Sequence, residues 1–129
     1  MMVIATASAT PALAGPGDAN LWVGTDNGRD GVLIDEATGD AWLTGVCLKP
    51  IAKATRSGNV WQSHTVELVS VGRTDIVLDQ TFTVDLSTPA PLLTVESRGR
   101  GGLQSFPATV ETACQLTPHC RALLDVPTC

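Results

Sequence analysis

Apolar and polar positions alternate along much of the chain. In residues 75–86, Ile76, Leu78, Phe82, Val84 and Leu86 fall on one side, while Val77, Asp79, Thr81, Thr83 and Asp85 fall on the other. Successive side chains of extended backbone point to opposite faces, so a period of two with one nearly all-apolar side predicts a half-buried antiparallel strand. Residues 60–71 repeat the pattern, with Val66 and Leu68 opposed to Thr65 and Glu67, and Gly72-Arg73-Thr74 between the two runs suits a hairpin turn. Residues 32–35 and 41–48 flank Glu36-Ala37-Thr38-Gly39-Asp40, a second hairpin signal. Leu93 and Val95 mark a shorter strand ahead of the turn Arg98-Gly99-Arg100-Gly101-Gly102. Phe106, Ala108, Val110 and Cys114 alternate with Pro107, Thr109, Glu111 and Ala113, and Pro107, which has no amide for a ladder, marks an edge or a bulge. Leu21-Trp22-Val23 is expected as a first, edge strand.

One stretch departs from this period. Residues 118–125 predict a helix of about two turns, with Thr117 as N-cap, Pro118 at the first helical position and Leu123 and Leu124 on the apolar side. The whole pattern predicts an all-β fold of about seven or eight strands, an antiparallel β-sandwich of immunoglobulin-like or similar Greek-key type, with one short C-terminal helical turn. Trp42 is expected in its core.

Composition narrows the classes. The 129 residues suit one domain, and 43% hydrophobic against 16% charged residues is too apolar for disorder. The net charge of −5 disfavours nucleic acid as a partner, since such binders carry a basic excess. No run approaches the roughly 18 apolar residues of a membrane helix, so no membrane span is expected. Residues 1–14 are uncharged and place Ala12 and Ala14 ahead of Gly15-Pro16-Gly17, in the manner of a secretory signal and its A-x-A cleavage site. The positive start of such a signal is missing, so residues 1–14 read as a signal-peptide remnant, 15–20 as a flexible leader and 21–129 as a single β domain. Arginine outnumbers lysine, a bias of GC-rich bacterial genes.

A secreted chain changes how Cys47, Cys114, Cys120 and Cys129 are read: an even count in an oxidising compartment predicts two disulfides. Of the possible pairings, Cys47–Cys114 with Cys120–Cys129 is favoured, because the first two end strand-like runs and the last two bracket a terminal segment. Zinc fits poorly, since the cysteine spacings lack tight ligand pairs and His119 lies directly beside Cys120.

Candidate chemistry is sparse. Asp18, Asp26, Asp30, Asp35, Glu36 and Asp40 cluster around a single base, Arg29, and Asp26-Asn27-Gly28-Arg29-Asp30-Gly31 has the start of a calcium loop. Ala37 stands where the bidentate glutamate belongs, so solvated turns built from Asp, Asn and Gly are the better account. His64 and His119 are the only near-neutral bases; neither sits in a nucleophile motif. His64 reads as a partly buried, hydrogen-bonded strand residue and His119 as part of the helix's first turn. Asp79 and Asp85 share a strand face, the raw material of a carboxylate pair, yet a domain this small leaves little room for a sugar cleft. The chain is therefore expected not to be an enzyme, and no cofactor is expected.

Rigid scaffold without a catalytic set points to binding. The expected function is a secreted, disulfide-stabilised module that holds another secreted or cell-surface protein, as an adaptor or accessory subunit of a toxin or adhesion assembly. Candidate contacts are the leader (Gly15, Pro16, Gly17, Asp18), which can dock or add a strand to a partner, and the exposed turn with Arg98 and Arg100. A protease inhibitor, presenting residues 98–102 or 116–119, is the alternative. Carbohydrate binding is weaker, with three tryptophans and no tyrosine to build a platform.

Overall fold

The computed structural model describes residues 16–98 and 101–129. Strands β1 (Leu21–Gly24), β2 (Gly31–Ile34), β3 (Ala41–Thr44) and β4 (Lys49–Ile51) form a meander, and β10 (Thr109–Thr112) pairs with β1 to complete sheet one. Strands β5 (Thr55–Ser57), β6 (Val60–Val71), β7 (Thr74–Asp85), β8 (Leu92–Ser97) and β9 (Gly102–Pro107) form sheet two in chain order. The fold is the antiparallel β-sandwich that the alternation predicts, with ten strands rather than seven or eight. After the four-strand meander the fifth strand of sheet one, β10, returns from sheet two to lie beside β1. The short helix α1 (Pro118–Leu124) follows a 3₁₀ turn at Cys114–Leu116. Thr117 stands at its N-cap without making a side-chain cap bond.

Two local expectations change. Strand β1 is not at an edge, because β10 covers its outer side. The alternating run at 106–114 is two strands, and the chain crosses from sheet two to sheet one at Ala108, directly after the proline that cannot continue a ladder.

Sheet one is buried on both faces. Leu21, Val23, Val32, Ile34 and Ala41 meet Trp61, Val84 and Leu93 of sheet two. The opposite face, with Trp22, Leu33 and Trp42, packs on Leu48 of the loop between β3 and β4 and on Cys114, Cys120 and Leu123 of the C-terminal segment. A third layer thus covers the sandwich, which is why β1 and β2 are continuous apolar runs without alternation. Trp22 sets the spacing: its ring lies across Gly24 and Gly31, where a β-carbon would fall 2.0 Å from Trp22 Cζ2 and 2.6 Å from Gly24 Cα respectively.

The cysteines form two disulfides, but not in the favoured pairing. Cys47 joins Cys129, and Cys114 joins Cys120. Strand β10 stops at Thr112, and the 3₁₀ turn followed by α1 folds Cys120 straight back onto Cys114. The last residues then run beside Leu48, which donates its amide to the Pro127 carbonyl and accepts from the Cys129 amide, bringing Cys129 to Cys47. The first bridge ties the C-terminus to the loop between β3 and β4; the second fixes the helix to sheet one.

The leader expected to be flexible over 15–20 is held from Pro16 onward. Pro16–Asp18 form a 3₁₀ turn, Ala19 is buried, and the Gln115 amide donates to the Gly17 and Ala19 carbonyls. Gly15 and the signal-like residues 1–14 lie outside the described residues.

Candidate functional site

The strands of the two sheets differ in length, and that difference creates the surfaces of interest. Strands β1–β3 have four residues each, whereas β6 and β7 have twelve. β5 pairs only as far as Gln62, and β8 pairs with β7 only as far as Gln80. Residues 66–71 and 74–79 therefore project as a two-stranded arm. Its turn is Gly72-Arg73, with Gly72 at φ 64°, the left-handed value that a two-residue hairpin turn needs at its first position. That turn makes Val71 and Thr74 a hydrogen-bonded pair, and bonded pairs then recur at every second residue. The outward amides are consequently those of Val66, Leu68 and Ser70 on one edge and Asp75 and Val77 on the other. On the outer face Val66, Leu68 and Val77 are 57, 68 and 60% exposed.

A cleft opens where sheet one ends and sheet two continues. Its volume is about 420 Å³. Val32 and Leu43 line it from sheet one; Phe82, Leu93, Val95 and Phe106 line it from sheet two. Its rim is the turn between β1 and β2, with Thr25, Asp26, Asn27 and Asp30. The turn is rigidly held. Asn27 Oδ1 accepts the Arg29 and Asp30 amides, and its amide group donates to Asp30 Oδ2. Trp22 Nε1 donates to Thr44 Oγ1, which donates to the Arg29 carbonyl at 2.6 Å. His119 Nε2 donates to the Gly28 carbonyl at 2.6 Å, while its Nδ1 is bonded to the Glu111 carboxylate. The Glu111 bond, then the Gly28 bond, raise the His119 pKa above its usual 6.5. Among the described residues Thr25 Oγ1 is buried without a hydrogen-bond partner.

A third feature lies on the outer face of sheet two, a polar depression of about 310 Å³ lined by His64, Asp79, Thr81, Glu96 and Arg98. His64 Nε2 and Asp79 Oδ1 are 2.7 Å apart, and Arg98 Nη1 lies 3.7 Å from Asp79 Oδ2. The His64 side chain is exposed rather than partly buried, because no layer covers this face. No hydroxyl is bonded to its second ring nitrogen among the described residues. Among the same residues no three His, Cys, Asp or Glu side chains gather as a metal would require.

Comparison with protein-family models, with characterised proteins and with solved structures gives no match.

The candidate contacts read from sequence do not form one surface. Pro16, Gly17 and Asp18 sit before β1 beside Gln115, whereas Arg98 leaves β8 in sheet two, with its amide on the Asp79 carbonyl. Gly15 and Arg100 lie outside the described residues. Of the acidic residues, Asp30 accepts from Asn27 within the β1–β2 turn, and Asp35 accepts the Ala37 amide in the β2–β3 turn at the opposite end of β2. Trp22, Trp42 and Trp61 are all buried, so none offers the exposed ring of a sugar platform. The arm and the cleft are the surfaces that sequence reasoning missed. The arm had a signal, since twelve-residue strands outrun their neighbours β5 and β8, of three and six residues.

Proposed function

We propose that the chain is a disulfide-stabilised binding module of the extracellular space that holds another secreted or cell-surface protein, as an adaptor or accessory subunit, through the β6–β7 arm. The observation that carries this reading is the pair of unpaired strand edges at 66–71 and 74–78, flanked by exposed Val66, Leu68 and Val77. Folded proteins blunt such edges with lysine, proline or bulges. Residues 65–79 contain neither lysine nor proline. An extended segment of a partner can add here as a further strand, its main chain supplying affinity and its alternate side chains meeting the three apolar residues. Two disulfides suit export to an oxidising compartment. In this reading the chain performs no reaction itself.

The test is affinity capture from culture supernatant with the wild type and with a Leu68→Lys/Val77→Lys variant. A stoichiometric partner held by the first and lost by the second supports the reading; identical capture by both contradicts it. Protease inhibition is the second reading, favoured by the 86% exposure of the Arg98 side chain. Residues 116–119 serve it less well, because only Thr117 is extended, between the 3₁₀ turn at Cys114–Leu116 and α1. Incubation with a trypsin-like protease decides it, and undiminished proteolysis of a reporter removes it.

A further inference from the structure

We infer that the cleft between the sheets is a second binding site, for a small molecule with an apolar body and a single ammonium group. Three observations converge on that class. The floor comes from both sheets and is aliphatic and aromatic, with Val32, Leu43, Phe82, Leu93, Val95 and Phe106 facing one space. The volume, about 420 Å³, falls in the range of small-molecule sites, roughly 300–1,000 Å³. The ionisable residues that line it, Asp26 and Asp30, are both acidic.

The rim selects charge. Asp26 makes no ion pair within 4 Å among the described residues, and Asp30 meets Arg29 only at 3.6 Å on the exposed side. The nearby His119 cation is engaged by Glu111 and by the Gly28 carbonyl. An apolar body is drawn in by removal of its surface from water, while a carboxylate at the rim favours a cation and repels an anion. The turn is braced from outside the cleft by Thr44 and His119, so its carboxylates are set in position before any ligand arrives.

This site shares no residue with the β6–β7 arm and stands independently of what the arm holds. The test uses the full chain and three probes of one shape: 2-phenylethylamine, 2-phenylethanol and 3-phenylpropionate, titrated by protein-observed NMR. The expected result is saturable binding of the amine with a dissociation constant on the order of millimolar, about fivefold or more weaker binding of the alcohol, and no saturable binding of the carboxylate. Shifts in the wild type should centre on Val32, Leu43, Val95 and Phe106. Asp26→Asn should bring the amine down toward the alcohol, and Val95→Trp, which fills the space, should abolish both. Absence of saturable amine binding, equal binding of amine and carboxylate, or shifts centred elsewhere would overturn the inference. The wild-type shift map holds even if Val95→Trp fails to fold.

Discussion

His119 in the first turn of α1 donates a hydrogen bond to the backbone carbonyl of Gly28, 91 residues earlier in the chain. Its other ring nitrogen meets the Glu111 carboxylate, and the ring stands edge-on to Trp22 with centroids 5.0 Å apart. Both partners of the ring are acceptors, so both nitrogens carry hydrogen and the bound form is the imidazolium. One side chain thus ties the C-terminal layer, strand β10 and the rim turn of the cleft together.

That latch makes stability depend on pH in a defined direction. The folded-state pKa of His119 lies above the unfolded value, so its contribution is complete below about pH 6.5 and declines as pH rises through the higher folded value. Melting temperatures of the wild type and His119→Gln, measured from pH 5 to 9, should differ most at the acid end and converge toward the alkaline end. A constant gap across the range would contradict the imidazolium assignment.

Thr44 has an equally specific role on the same turn. Thr44→Val keeps the shape but leaves the Trp22 indole N–H buried without its acceptor and the Arg29 carbonyl without a donor. Unpaired buried polar groups cost about 1–3 kcal/mol each, so urea unfolding should show a loss of at least that order. A change under about 0.5 kcal/mol, typical of surface positions, would remove Thr44 from the network.

The two disulfides should contribute unequally. Closing an 82-residue separation at Cys47–Cys129 is worth about 4–5 kcal/mol by loop entropy, and a separation of 6 at Cys114–Cys120 about 2 kcal/mol. Paired alanine variants, unfolded in urea, should rank in that order. Mapping of disulfide-linked peptides should recover Cys47 with Cys129; recovery of Cys47 with Cys114 would contradict the topology described above.

The arm should be thermodynamically idle in the free chain. Leu68 and Val77 are 68 and 60% exposed, and polar substitution at such positions shifts stability by about 0.5 kcal/mol or less. Because Leu68 and Val77 face each other across the hairpin, two lysines there would repel, so it is the single variants Leu68→Lys and Val77→Lys that should each unfold at nearly the wild-type urea midpoint. A large destabilisation would show that the arm packs against something within the chain.

Much of the fold was legible because alternation is a local signal. Strands β6 and β7 with the turn between them and strand β8 follow from it directly, and helix α1 follows from Pro118 at its first position and Leu123 and Leu124 on its apolar side. Strands β4 and β5 do not, since three residues are too few to show a period. The uninterrupted runs Leu21-Trp22-Val23 and Val32-Leu33-Ile34 carried the mark of two-sided burial, and with it the third layer, but mark no covering partner. The candidate sites were less visible. Val66 and Leu68 look like the covered face of a strand, yet they lie on the outer face of sheet two, which no layer covers. The cleft draws Val32, Leu43, Phe82, Val95 and Phe106 from five strands, a gathering with no linear signature. Disulfide pairing depended on where α1 turns the chain back, which cysteine spacing does not encode.

The claim that the arm is where this scaffold holds its partner is tested most directly by amide hydrogen exchange of the chain with and without the captured protein. The account predicts slowed exchange at Val66, Leu68 and Ser70 or at Asp75 and Val77, the outward amides of the arm, with little change on sheet one. Slowed exchange confined to sheet one or to the C-terminal layer, with those five amides unaffected, would contradict it.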